Sequence, residues 1–192
     1  VGATYANGYV KNKVMEFVGP GVASLSADCR NGIDCMTTET TCWSSIWQTD
    51  GVTEEYLAGH GRADAYKELK PADVAYYDGC IELDLSKIEC MIALPMHPSY
   101  AYPIRELKAN AKDLLHEIET RANEQLSGKV KMDLVSKVRA DGSIYVDQGI
   151  VAGCSGGTYE NLCAVADILR GKSCGNGEFK FSVYPDSMPT YL

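Results

Sequence analysis

Short β-type runs alternate with helix-type runs along this chain, and the switches pass through glycine-rich breaks. That alternation limits the possible folds more than any other feature. Val14-Met15-Glu16-Phe17-Val18 is apolar-rich and closes on Gly19-Pro20-Gly21, which reads as a strand delivered into a turn. Ser143 to Ala152 reads as a second such strand, interrupted at Gly149, and runs into Gly153-Cys154-Ser155-Gly156-Gly157-Thr158. A helix follows from about Tyr159, with Leu162, Cys163, Ala166 and Leu169 inward, and stops near Gly171. Phe179 to Tyr184 makes a final strand. This order implies an α/β fold of mostly parallel sheets flanked by helices.

The remaining elements follow from the same reasoning. Ser24 is placed to cap a helix whose Leu25, Cys29, Ile33 and Met36 share one face. The run Thr37-Thr38-Glu39-Thr40-Thr41 opposes its continuation, because branched side chains crowd the preceding turn. Ser44 to Trp47 is a short strand, and Thr53 caps a helix that Gly59 stops. Strict alternation in Cys80 to Leu85 predicts a half-buried strand, and Ile88 to Leu94 another. The proline-rich stretch 95–103 is the expected junction between two domains, at 1–90 and 91–192. One long helix is expected from Ile104 to about Leu126, with Ile104, Leu107, Ala111, Leu114, Leu115, Ile118 and Ala122 in one stripe.

Composition removes several functions. The 192 residues carry a net charge of −8 and no dense Lys/Arg run, which disfavours nucleic acid. No apolar run approaches the ~18 residues of a membrane span, and no secretory leader pattern is present. The eight cysteines include no Cys-x-x-Cys pair, so zinc ribbons and thioredoxin-type sites are disfavoured. Most are expected to be buried, small hydrophobes in a reducing, cytoplasmic compartment.

Four groups of residues invite chemistry. A cysteine in the loop between a strand and a helix stands at the carboxyl end of the strand, where α/β proteins bind ligands. The positive helix end would favour its thiolate, and Gly156 and Gly157 would leave room beside Cys154. A tight turn with a buried cysteine meets the same spacing, and spacing alone does not separate the two. Cys163, on the apolar face of the next helix, reads as core. Glu39 could act as an acid/base or touch substrate, though a lone carboxylate is more often a surface group. His60, His97 and His116 share no metal spacing. His116 reads as surface, and His97 as part of a packed loop. The carboxylates at Glu54-Glu55 and Glu117/Glu119 read as solvated helix faces.

Two segments resemble the aconitase superfamily. Val14 to Ser26 is similar to its Val-Glu-Tyr-x-Gly-Pro-Gly-Val-x-Ser-Ile-Ser stretch, and Cys35-Met36-Thr37-Thr38-Glu39-Thr40-Thr41-Cys42 falls on its Asn-Met-Gly-Ala-Glu-x-Gly-Ala-Thr. Gly153 to Leu162 resembles its Ser-Cys-Thr-Asn-Ser-x-Tyr-Glu-Asp-Met. The resemblance implies three-layer α/β/α domains and an iron–sulfur-dependent hydratase (a lyase) acting on a hydroxy di- or tricarboxylic acid. It makes Cys154 a thiolate ligand of a 4Fe–4S cluster, with Ser155 beside it in the cofactor site, and Glu39 the active-site glutamate.

The departures matter equally. Cys35 stands where the family has Asn, and Gly156 replaces another. The family's Cys-Gly-Pro-Cys, its Asp-His and Asp-Ser-His segments and its Arg-rich motifs are absent. The resemblance is therefore to an internal piece, the second domain and the start of the third. Such a piece is expected to hold no cluster alone, to be inactive alone, and to need the remaining domains of its polypeptide. The rival readings are a non-catalytic α/β binding or regulatory domain, and a cysteine enzyme built on Cys154.

Overall fold

The structure is a computed structural model that describes residues 1–192. Strands β1 (Val14–Phe17) and β2 (Ser44–Trp47) lie parallel, with Val14 opposite Ser44 and Phe17 opposite Trp47. Helix α1 (Ala27–Thr37) crosses between them. Its cap is Ser26, not Ser24: the Ser26 Oγ accepts from the Cys29 amide at 3.1 Å. Ser24 is committed elsewhere, donating to the Gly21 carbonyl at 2.7 Å and closing the preceding turn.

The threonine run ends α1 as expected, but chiefly through its hydroxyls. Thr37, Thr38 and Thr40 donate to the carbonyls of Asp34, Cys35 and Thr37 at 2.6, 2.9 and 2.6 Å. Those are acceptors that a helix end leaves open. Helix α2 (Gly51–Gly59) is capped by Asp50 rather than Thr53, its carboxylate accepting from the Val52 and Thr53 amides at 3.1 and 3.3 Å.

Cys80 to Leu85 is not a strand. Asp84 instead accepts from the Ser86 amide at 3.0 Å and starts a short turn at Leu85–Lys87. Alternation yields a strand only where a neighbour takes up the backbone groups, and no strand lies alongside. The next strand is shorter than expected. β3 (Met91–Ala93) pairs antiparallel with β4 (Ala101–Pro103), so the proline-rich stretch forms a hairpin closed by Leu94 N–H to the Tyr100 carbonyl at 2.8 Å. His97 packs in that loop, stacked on Tyr5 at 3.9 Å.

The long helix is broken at Asn110, whose φ of −129° separates α3 (Ile104–Ala109) from α4 (Ala111–Gln125). The stripe survives the break: Leu107, Ala111, Leu115, Ile118 and Ala122 are buried. With Leu94 they hold the main core, against which Leu134, Val138 and Ile144 pack. Glu119 departs from its expected role. Its Oε2 accepts from the Leu134 and Val135 amides at 2.7 and 3.1 Å, fixing the following turn to α4.

Strand β5 (Gln148–Val151) starts later than the apolar run, because Ile144 turns back to bridge Val138. After β5 come α5 (Gly153–Gly156), α6 (Tyr159–Leu169), β6 (Lys180–Val183) and α7 (Met188–Tyr191). β6 runs parallel to β5, with Gln148 opposite Lys180. Two of the three strand pairs are thus parallel with helical crossovers, an α/β architecture. No helix is long and apolar enough to cross a membrane.

The cysteines overturn the expectation of burial. All eight are free, six exposed and two half-buried. Cys163 is exposed rather than core, since no residue of α6 is buried. Nothing in this chain covers the outer face of that helix.

Candidate active site

β5 ends at Val151, and the backbone swings through Gly153 at φ +85° into the single turn of α5. A side chain at that left-handed value would be strained, so glycine there is what sets Cys154 at the open end of the strand. The two following glycines divide. Gly156 faces open space, as a roomy site requires. A Cβ at Gly157 would lie 2.6 Å from the Tyr184 carbonyl, so its bareness admits the end of β6 rather than a ligand.

α5 rests on α1. Ser155 Oγ donates to the Gly32 carbonyl at 3.2 Å. Gly32 permits the approach, since a Cβ there would sit 3.3 Å from that hydroxyl oxygen. One turn along the same face of α1, the Cys35 thiol donates to the Cys154 carbonyl at 3.7 Å. Asn161 braces the turn from α6, its side-chain amide donating to the Ser155 carbonyl at 2.8 Å. α1 and α6 also share their N-terminal ends. The Asp28 carboxylate of α1 accepts from the Glu160 amide at 3.0 Å, and Ser26 donates to the Glu160 carboxylate. The end of α6 therefore meets Asp28, not Cys154.

Two cavities flank this junction. One of about 620 Å³ is lined by Leu25, Cys29, Ile33 and Met36 of α1 with Ser155 and Asn161. The helix face that periodicity reads as inward therefore opens into a cavity. The other, about 690 Å³, is lined by Cys154, Tyr56, His60, Tyr159, Cys163 and Asp186, among others. Neither wall includes a lysine or arginine, while Asp28 and Glu160 line both. A carboxylate bound here would need cationic partners from outside these walls.

The charge environment acts on two thiols of α1. Burial pushes the Cys35 thiol up, reinforced by the adjoining Cys154 thiol and Asp34. Burial and the Glu160 carboxylate push Cys29 up, against a smaller opposing pull from Arg30.

The structure thus brings Cys154 and Ser155 together with α1, but it does not join Glu39 to them. Glu39 is exposed on the short turn Thr38–Thr40, one turn beyond Cys35 and flanked by buried Thr37 and Thr40. Its carboxylate has no hydrogen-bond partner. The donor chemistry offers an exposed thiol at Cys154 with a second at Cys35, and no group of three potential metal ligands converges. A four-iron cluster needs three or four thiolates, so this chain by itself does not fit one.

Asp28, Glu160, Asn161 and Arg30 also organise the site, and periodicity does not single them out. The partial signal is Ser26-Ala27-Asp28, a capping residue followed by an acid in the first turn.

Residues 1–191 match the aconitase family (aconitate hydratase). The chain belongs to this family. Among its curated aconitase-family relatives is the 2,3-dimethylmalate dehydratase large subunit of Eubacterium barkeri, 30% identical over 178 residues, covering 93% of this chain and 34% of that protein. The 3-isopropylmalate dehydratase large subunit of Caldicellulosiruptor bescii is 27% identical over 179 residues, with the same coverage. Its counterpart in Clostridioides difficile is 26% identical over 183 residues, covering 94% of this chain and 35% of that protein. The chain spans about a third of the length of these relatives. They are dehydratases, which makes hydro-lyase chemistry the chemistry of this part of the family.

Proposed function

We propose that this chain is the part of an iron–sulfur-dependent hydro-lyase that carries one cluster thiolate, Cys154, and one active-site carboxylate, Glu39. The substrate is a hydroxy di- or tricarboxylic acid, dehydrated and rehydrated reversibly. The observation that carries this reading is the meeting of family-like segments remote in sequence, where the Cys35 thiol reaches the Cys154 carbonyl and Ser26 donates to Glu160. The large-subunit dehydratases similar to it support the same class.

Completed by thiolates from outside this chain, such a cluster held in part by Cys154 would supply Lewis-acidic iron able to polarise the substrate's hydroxyl. Ser155, tied to Gly32, and Asn161, tied to the Ser155 carbonyl, hold the turn that presents the Cys154 sulfur. Glu39 takes or returns the proton at the carbon next to the hydroxyl-bearing one. The threonine bonds around it keep its backbone fixed. The other thiolates and the cations for substrate carboxylates come from the remaining domains or a second subunit. The chain alone is inactive, and the eight free thiols suit a reducing cytoplasm.

The test is a pair of variants in the full-length polypeptide. Cys154→Ser abolishes iron–sulfur absorbance and dehydration together, because a hydroxyl is a poor ligand for this iron. Glu39→Gln keeps the absorbance but lowers turnover by about 10²-fold or more, the scale of a lost acid/base group. Full cluster content in Cys154→Ser, or a normal rate in Glu39→Gln, overturns the corresponding assignment.

A further inference from the structure

Two cysteines 119 residues apart in sequence meet where α5 rests on α1. Gly32 and Cys35 are three positions apart on α1 and so present to the same side. The first receives Ser155 and the second receives Cys154. The Cys35 thiol donates to the Cys154 carbonyl at 3.7 Å, which sets its sulfur against the Cys154 residue. Neither residue is buried: Cys154 is exposed and Cys35 half-buried, so a small oxidant reaches the pair.

The other thiols near this junction are engaged differently. Cys163 lies on α6 rather than on α1 or α5, and Cys42 donates to the Thr37 carbonyl at 3.2 Å. Cys29 lies two turns back along α1, on the wall of the other cavity.

We propose that Cys35 and Cys154 form a reversible disulfide, a redox modification site at the junction of α1 and α5. The chemistry balances with a peroxide as oxidant. The Cys154 sulfur attacks one peroxide oxygen, the O–O bond breaks, and water leaves, giving a sulfenic acid at Cys154. The Cys35 sulfur attacks the Cys154 sulfur, forming the S–S bond and expelling a second water. Two thiols lose two protons and two electrons, and the peroxide takes them up. A dithiol reverses the step by exchange, ending as its own disulfide.

This goes beyond the proposed hydro-lyase reading without depending on it, because two thiols suffice. If that reading holds, the disulfide removes the sulfur that would otherwise bind iron. Oxidation and cluster loading then exclude one another.

The experiment uses the full-length polypeptide, reduced and freed of iron, titrated with hydrogen peroxide. Remaining thiols are blocked by alkylation before digestion without reductant. The expected result is a cross-linked peptide joining Cys35 to Cys154, lighter by two hydrogens than its reduced parts and lost on treatment with dithiothreitol. Cys35→Ser removes the cross-link and leaves a Cys154 sulfenic acid that dimedone traps, whereas Cys163→Ser leaves the cross-link unchanged. The peptide map of the unaltered protein decides the matter even if a variant folds poorly. Recovery of fully alkylated Cys35 after Cys154 has oxidised, or a cross-link from Cys154 to another cysteine, overturns the proposal. An intact cross-link in a protein whose Cys154→Ser variant still loads its cluster would sink the assignment of Cys154 as a cluster ligand alone.

Discussion

Arg30 is buried on α1, and every donor of its guanidinium has a partner. Two nitrogens grip the Asp50 carboxylate at 2.9 and 2.8 Å, and the group also reaches the Val22 and Leu25 carbonyls and the Thr53 hydroxyl. One side chain thus ties the turn after β1 and the cap of α2 to the helix that carries Gly32 and Cys35. Arg30→Met removes the charge while keeping much of the volume. It should cost about 3 kcal/mol, at the low end for breaking a buried pair, because the Asp50 side chain keeps 23% of its surface in water.

The pH dependence of that contribution has a definite sign. Arg30's hydrogen bonds hold the Asp50 carboxyl below its ordinary range, against some opposing burial. The pair therefore contributes fully above the unfolded-chain value of about 3.9, and its contribution is lost as pH falls through the lower folded value. Urea midpoints measured from pH 7 down to 3 should show the Arg30→Met curve lying below the parent at neutral pH and approaching it in acid. A constant offset across that range would mean that Asp50 is not the partner that counts.

At the scale of elements, the α1–α5 contact sets where Cys154 sits, and Gly32 sets that contact. Gly32→Ala gains about 1 kcal/mol of helix propensity, yet its Cβ must push Ser155 back by a few tenths of an ångström from 3.3 Å. The two effects oppose, so its stability should stay close to the parent's. Gly32→Leu has no such compensation and should destabilise by about 1–3 kcal/mol, as overpacked contacts do. Thermal unfolding of both variants checks this, and equal melting temperatures would mean that α5 moves freely on α1.

Elements with strong patterns were readable from sequence for the same local reasons that make them form. β1, β2, α6 and the stripe from Leu107 to Ala122 are decided by their own residues. The starts of α1 and α2 were not, because Ser24 and Thr53 compete with Ser26 and Asp50 and the winner depends on where the chain turns. Within the site, Cys154 and Ser155 stand in one continuous segment and could be found. Asp28 and Glu160 could not, since their contact spans 132 residues and no period announces it.

The whole molecule exposes 13608 Å², whereas a compact domain of 20.9 kDa exposes about 9,000 Å². The excess of about 4,600 Å² on this one chain matches what both sides of a large obligate interface bury together. Much of it is apolar, with Tyr159 and Ile168 of α6 and Ile150 and Val183 of the β5–β6 pair more than one-third exposed. The buried apolar cluster gathers instead around α3 and α4, and none of its four residues lines either cavity. Stability should therefore be uneven. Amide exchange in the isolated chain should be slowest in α4 and fast in α6 and β5–β6, where few side chains shield the backbone. In the full-length polypeptide, with any second subunit present, α6 and β5–β6 should slow by about tenfold or more, each factor of ten corresponding to about 1.4 kcal/mol of added protection. α4 should change least, because its partners are already in this chain. Exchange in α6 that stays equally fast in the full assembly would show that this apolar face faces water there too, and that the cavities beside Cys154 are closed by something else.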